Sequence, residues 1–295
     1  MQTWIQKYHD ATGVSINYQA IGSGGGISAL INKTVDFAGS DAPMNAQELS
    51  SARGAVLHIP VVIGTECIGY NLPGIGSGLH FTGPVLADIF MGRITFWDDN
   101  RLASLNPGTR LPHSRIFVAH RSDGSGTTYI FTDYLSKISP DWKSLIGNGK
   151  SVHWPVGLGG KGNAGVAGLL QTHPNSIGYI ELAYATENNI AYGVVMNARG
   201  KFVQPSAESG SIAAAGVKMP PDMRVSITNT SEPTGYPITG FSWLIVYQNS
   251  SKAEQMKKFL TWVLESGQGY NASLQYAKVP TVIHARLKEM IASIH

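Results

Sequence analysis

One polar stretch, Arg121-Ser122-Asp123-Gly124-Ser125-Gly126-Thr127-Thr128, constrains this chain more than any other. The apolar run Ile116-Phe117-Val118-Ala119 before it reads as a short buried strand. After it, Ile130, Phe131, Tyr134, Leu135 and Ile138 recur at the spacing of one helix face. The stretch therefore lies where a strand feeds the N-terminus of a helix. Backbone amides of a first helical turn have no partner inside the helix, and the helix dipole makes that end positive. Such an end binds anions. Gly124 and Gly126 let backbone come close to a ligand. Ser125 and Thr127 supply hydroxyls, and Arg121 supplies a planar cationic fork suited to an oxyanion. The same residues also make an ordinary capped turn, with a Ser or Asp N-cap and Asp123 paired to Arg121. No Gly-Lys-Ser/Thr follows, so this is not a Walker A loop. Asp123 stands two residues before Ser125, where a nucleophile elbow has Gly.

The stretch Ile21-Gly22-Ser23-Gly24-Gly25-Gly26-Ile27-Ser28-Ala29-Leu30 repeats that setting. Val14 to Tyr18 alternates apolar and polar residues ahead of it, the pattern of a strand. Gly24, Gly26 and Ala29 fit the G-x-G-x-x-A spacing of a dinucleotide loop. Asp36 and Asp41, however, come too early for the acidic residue expected about 20 positions on. The better reading has amides near Gly24 and the Ser23 hydroxyl facing a small anion. Val35 to Gly39 is a further strand, and Asp41 lies at its C-terminal end, where open α/β sheets gather ligands. A carboxylate beside an anion has a use. When ionised it only accepts hydrogen bonds, so it takes an oxyanion that carries a proton and repels one that does not. Near neutral pH phosphate carries a proton and sulfate does not. The plainer alternative makes Asp41 a turn residue before a helix over Asn45 to Ala52.

A third glycine-rich loop, Trp154 to Asn163, precedes a helix carrying Val166, Leu169 and Leu170. Asn163 is its expected N-cap, with Lys161 as an alternative anion contact. A helix is expected at the start of the sequence, where Trp4, Ile5 and Tyr8 share a face and Gly13 stops it. Others are expected from Pro84, over Ala253 to Leu264 and over Thr281 to Ser293. Strands are expected at Val56 to Pro60, Val61 to Leu72, Ile177 to Ile180 and Phe241 to Tyr247. A hairpin over Val194 to Val203 turns at Asn197-Ala198-Arg199-Gly200. Alternating strands and helices mean an α/β fold. At 295 residues the chain suits two domains. Crossings near Pro73 and Ile238 would make the first discontinuous, residues 1–72 plus 238–295, with 73–237 as the second. The Ser23 and Arg121 loops would then face each other across a cleft.

Composition narrows the partners. Charged residues are 14%, against about 25% in a typical soluble domain, and the net charge of +3 comes with no basic run. Neither supports nucleic-acid binding. Cys67 is the single cysteine, so no internal disulfide forms, and its apolar surroundings make it a core residue. The nine histidines show no metal-ligand spacing, and no cofactor is expected. No apolar run approaches the roughly 18–20 residues of a membrane span, and no signal peptide opens the sequence.

Four motifs, in order along the chain, carry a resemblance. They are Tyr18 to Gly26, Val35-Asp36-Phe37 with Ser40-Asp41-Ala42-Pro43, Arg121 to Thr127, and Trp154 to Asn163. Together they resemble the phosphate-binding protein of the bacterial phosphate-specific ABC transporter. The resemblance implies a type II periplasmic-binding fold, two α/β domains joined by two hinge strands. One dehydrated phosphate would lie between them, later delivered to the membrane permease. By motif, Ser23 and Gly24 would supply a hydroxyl and an amide, and Asp41 would accept the phosphate proton. Arg121 would supply the charged donor, held by Asp123, and Ser125, Gly126 and Thr127 would supply hydroxyls and amides. The resemblance implies a periplasmic monomer without enzymatic activity. Members of the family start earlier, with a strand and a Gly-Ala-Thr-Phe-Pro-like loop ahead of the point where this sequence begins. Two alternatives stand beside this reading. One is a secreted phosphatase-like relative with Ser23 or Ser125 as nucleophile, although no His or Lys base is evident beside either. The other is a binding protein for sulfate, molybdate or another oxyanion.

Overall fold

The apolar runs at 56–71 and 239–247 become the two longest strands, and they lie side by side. The computed structural model describes residues 1–295. Its strands are β1 (Phe37–Ser40), β2 (Val56–Asn71), β3 (His80–Phe81), β4 (Phe117–Arg121) and β5 (Leu158–Gly160), followed by β6 (Ser176–Glu181), β7 (Ala191–Tyr192), β8 (Val194–Met196), β9 (Phe202–Val203) and β10 (Thr239–Tyr247). Its helices are α1 (Gln2–Thr12), α2 (Gly22–Ile31), α3 (Ala46–Ser51), α4 (Gly83–Phe90), α5 (Asn100–Ala103) and α6 (Gly126–Ile138), followed by α7 (Pro140–Leu145), α8 (Gly162–Thr172), α9 (Leu182–Glu187), α10 (Ala207–Ala215), α11 (Ala253–Glu265) and α12 (His284–Ala292).

The main sheet runs β1-β10-β2-β6-β4-β5, with β7 also on β2. The strand β2 serves two neighbourhoods. Its first half, Val56 to Thr65, pairs antiparallel with β10; its second half, Glu66 to Asn71, pairs antiparallel with β6. Beyond β6 the pairing turns parallel, through β4 to β5. A smaller sheet holds β3, β8 and β9, and the β8–β9 hairpin turns where Asn197 to Gly200 requires it.

Apolar side chains sort along the same strands. One core gathers Ile68, Tyr70, Phe90, Phe131, Tyr134, Trp142, Tyr179 and Ile238 between the second half of β2, β6, α4 and α6. Phe131 stacks on Tyr179 with ring centres 4.5 Å apart. Replacing such a buried aromatic by alanine costs about 3–5 kcal/mol. Another core packs Trp4, Tyr8, Leu244, Val246, Phe259, Leu260 and Leu287. A third lies under α2, with Ile27, Leu30, Phe241 and Trp243. Cys67 is a free, buried thiol in a fourth.

Several expectations need correction. The two strands expected to meet at Pro60 are one. Ser242 faces Val62 and Trp243 faces Pro60, so the ladder bulges there and takes a residue without an N–H. Val14 to Tyr18 forms no strand. It leaves the outer edge of β1, which pairs only with β10, without a partner; the Tyr18 ring stacks on Phe37. Short helices α5, α7, α9 and α10 carried too little periodicity to be read from the sequence. The last helix opens as a 3₁₀ turn over Thr281–Ile283.

Candidate functional site

Arg121 ends β4 and Gly126 begins α6, so the chain turns between them with Ser125 as N-cap. The Ser125 hydroxyl oxygen is fully buried and accepts the Thr128 amide at 3.1 Å. Its own amide donates to the Lys150 carbonyl at 2.8 Å. That leaves the Gly126 and Thr127 amides, which no helical acceptor can reach, at the positive end of α6.

The Arg121 guanidinium is buried and held on several sides. Nε and Nη2 fork onto the two Asp123 oxygens at 2.8 and 2.6 Å. Nη1 reaches toward the Thr127 hydroxyl at 3.4 Å. Its backbone amide donates to the Tyr179 hydroxyl at 3.0 Å, which also bonds Thr128 Oγ1 at 2.6 Å. Burial alone would push Asp123 up, but the Arg121 fork and the Gly162 amide outweigh it and hold its carboxyl below the usual range. Asp123 also explains why Asn163 is not the cap of α8. The N-cap is Lys161, and Asp123 accepts the Gly162 amide at 3.0 Å in place of a local cap. Asn163 instead turns its Nδ2 toward Thr127 Oγ1 at 3.5 Å, leaving a buried Oδ1 without a partner.

The Ser23 loop meets this wall face to face. Helix α2 opens Gly-Ser-Gly-Gly-Gly, a poor helical sequence by about 1 kcal/mol per glycine. Contact explains the glycines. A Cβ on Gly24 would stand 3.1 Å from the Gly124 Cα, and one on Gly22 2.6 Å from Asp123 Oδ2. The Gly24 amide, expected to face an anion, donates to the Gly124 carbonyl at 2.8 Å and ties the two loops together. Ser23 is buried, and its oxygen accepts the Asp41 amide at 3.2 Å.

Asp41 follows β1 directly and closes the site. Ser242, on β10, donates to its Oδ1 at 2.5 Å. A Cβ on Gly126 would lie 2.5 Å from both the Ser23 Oγ and the Asp41 Cβ, so only glycine fits. Burial raises the Asp41 carboxyl above its ordinary value, against the Ser242 bond and the Arg121 charge. Asp41, Ser23, Arg121, Ser125, Gly126 and Thr127 are therefore neighbours. Tyr179 and Ser242 were not legible as members; Ser242 lies 201 residues from Asp41 in sequence. An ion pair also joins the two sides: Lys150 Nζ meets Glu48 Oε2 at 2.8 Å, and Glu48 belongs to the capping box that starts α3. A surface cleft of about 470 Å³ along Gly78, His80, Asn106 and Phe202 shares none of these residues.

Chemically, this site offers two free amides, three hydroxyls and the unspent guanidinium hydrogens as donors, opposite one carboxylate acceptor. No group of metal-ligating side chains is present. The donors suit a small oxyanion, and the acceptor suits one that bears a proton.

Comparison with known proteins agrees. The PBP superfamily domain matches residues 1–266. The phosphate-binding protein PstS of Xylella fastidiosa is 43% identical over 98% of this chain and 81% of its own. That of Pasteurella multocida is 44% identical over 97% of this chain and 84% of its own. Among solved structures, a high affinity periplasmic phosphate-binding protein bound with phosphate superposes with a TM-score of 0.79. At 23% identity, covering 98% of this chain and 90% of that one, it speaks for the fold: α/β, of the type II periplasmic-binding kind. The matches at 38–44% identity, one of them from Methanocaldococcus jannaschii, are all named as binding proteins. This chain belongs to the PBP superfamily and, within it, to the PstS phosphate-binding proteins.

Proposed function

We propose that this chain is the substrate-binding protein of a phosphate ABC transporter, capturing inorganic phosphate between its two walls and delivering it to the membrane permease. The observation that carries this is the close approach of Ser23 and Asp41 to Gly126 at the start of α6, where no side chain fits, with the buried Arg121 charge acting on Asp41. Arg121 and the Gly126 and Thr127 amides would neutralise the phosphate oxygens. The Ser23, Ser125 and Thr127 hydroxyls would donate to them, and Asp41 would accept the phosphate proton. Asp123 would hold Arg121 from behind, and Gly24 would bind the loops rather than the ligand.

The lobes of this reading are residues 1–72 with 238–295, and residues 73–237. Support comes from the cores: one draws its residues from Ile68 to Ile238, another mainly from both ends of the chain. The strands β2 and β10 would carry the hinge. Both walls come from one chain, so the protein would work as a monomer, and its place would be the periplasm.

Calorimetric titration with phosphate at neutral pH tests the reading: tight one-to-one binding is expected, and no heat with phosphate would end it. The phosphatase alternative finds no support in the site. The Ser125 oxygen accepts the Thr128 amide, Ser23 accepts the Asp41 amide, and no His or Lys side chain bonds either serine. Turnover of a chromogenic phosphomonoester, lost in Ser125→Ala, would restore that alternative.

A further inference from the structure

Two carboxylates behind the site have no role in the binding just described. Glu66, on β2, and Glu181, at the end of β6, are direct partners in the antiparallel ladder. Opposite residues of such a ladder send their side chains to the same face, about 5 Å apart. Glu66 is only 1% exposed, and its Oε2 has no hydrogen-bond partner. A Cβ on Gly64 would stand 3.4 Å from Glu181 Oε1. Arg121 acts on both carboxylates through space, but its fork is committed to Asp123. Two like charges so placed, out of water, cannot both persist, and a proton must stay on the pair.

The surroundings of the pair are acidic or neutral on most sides. Glu181 faces Asp41 after β1, Tyr276 near the C-terminal end, Tyr184 on α9, Tyr18, and the amino group of Met1. Glu66 faces Glu181, Asp41, Cys67 and Tyr236. Burial, then Glu181 and Asp41, push Glu66 well up. Burial, then Asp41, push Glu181 up to about 7.

We infer that Glu66 and Glu181 form an acid pair that sets the upper pH limit of anion binding. The inference rests on the phosphate-binding reading above. Glu66 stays neutral. When Glu181 holds a proton, Asp41 is the only charge opposing the incoming phosphate. When Glu181 loses it to solvent, a second negative charge stands beside Asp41 and the anion is repelled. Phosphate binding above neutral pH therefore returns one proton from solvent to Glu181, beyond any exchanged by the ligand itself. Glu181 tunes the site through Asp41 and does not touch the ligand.

Phosphate affinity measured from pH 5.5 to 8.5 on the wild type, Glu181→Gln and Glu66→Gln tests this. The ligand's own titration is common to all three. Wild type and Glu181→Gln should agree within about twofold at pH 5.5. By pH 8.5 the wild type should be weaker than Glu181→Gln by up to about 30-fold, the change expected for one proton over the 1.5 pH units above about 7. Glu66→Gln, which keeps a neutral group in that place, should leave the fall of affinity at the wild-type pH. As a readout free of ligand, Glu181→Gln should melt higher than the wild type at pH 8 and not at pH 5. Parallel affinity profiles for the wild type and Glu181→Gln, with equal melting differences at both pH values, or a Glu66→Gln profile that falls at a different pH, would overturn the pair while leaving phosphate binding intact. A wild type that binds no phosphate at any pH would overturn both.

Discussion

The two walls of the site are built on opposite principles. The Arg121 wall is held before any ligand arrives. Its cation is forked onto Asp123, its backbone is pinned to Tyr179, and its helix is capped by a buried serine. The Asp41 wall has fewer constraints and carries the negative charge: Asp41 itself, joined by Glu181 only as pH rises through about 7, with a neutral Glu66 behind them. The pairing with Asp123 cancels most of the charge that Arg121 brings. What the site then offers is fixed donors on one side and a single acceptor on the other. Donors give affinity for any oxyanion. The acceptor gives the choice among oxyanions. Substitutions in the first wall should therefore cost affinity broadly, and substitutions in the second should change selectivity and pH response.

The sharpest test of that division is Arg121→Ala. It removes a buried charge whose loss leaves Asp123 unpaired, a change that typically costs about 3–5 kcal/mol. Phosphate affinity should fall at least 100-fold, with a lower melting temperature, in calorimetry and thermal denaturation. Phosphate binding that survives this change would mean the Asp41 wall grips the anion alone.

Asp123→Asn is next, and its signature is in pH. The folded Asp123 carboxyl lies below its unfolded value. Its contribution is therefore present above the unfolded value, near 4, and is lost as pH falls through the folded one. The variant should be less stable than the wild type by about 1–3 kcal/mol at pH 7, with the gap closing in acid. Glu181 has the opposite sign. Its raised value, about 7, means stability that is full below its unfolded value and lost as pH rises through about 7. Denaturant melts of the two variants from pH 3 to 8 should show slopes that diverge. Slopes that run together would erase the contrast between the walls.

Gly126→Ala addresses the gap itself. Its Cβ would stand 2.5 Å from Ser23 Oγ and the Asp41 Cβ, overpacking that costs about 1–3 kcal/mol. The walls should separate and phosphate affinity should drop by roughly 10- to 100-fold, read by calorimetry. The smallest effect belongs to the pair Glu48–Lys150, which bridges the walls at 2.8 Å with both side chains partly in solvent. Such pairs contribute about 1 kcal/mol or less. Lys150→Ala should speed phosphate release by no more than about fivefold in stopped flow, and Glu48→Gln should add nothing further in the double variant.

The Arg121 wall was largely legible in the sequence because it is local. Strand, turn, cap and helix lie within about twenty residues, and turn chemistry and periodicity report on such distances. The Ser23 loop was legible for the same reason, although the use of its Gly24 amide was not. That amide meets Gly124, a contact between two loops that no local pattern encodes. The Asp41 wall was readable only as a lone carboxylate at a strand end. Ser242, Glu66 and Glu181 reach it through sheet pairing, and pairing of distant strands leaves no trace in one sequence. The strand expected at Val14 to Tyr18 failed on the same ground. Alternation marks a segment able to pair, and it does not say whether the segment does; this one leaves the outer edge of β1 unpaired.

The central claim is that Asp41 tests the oxyanion for a proton while Arg121 holds it. The ratio of phosphate to sulfate affinity at pH 7, measured by calorimetry on the wild type and on Asp41→Asn, addresses it directly. The wild type should prefer phosphate by at least 100-fold. Asp41→Asn, whose amide can donate to a bare oxygen, should lose most of that preference by gaining sulfate. An unchanged ratio in the variant, or equal affinities in the wild type, would contradict the account.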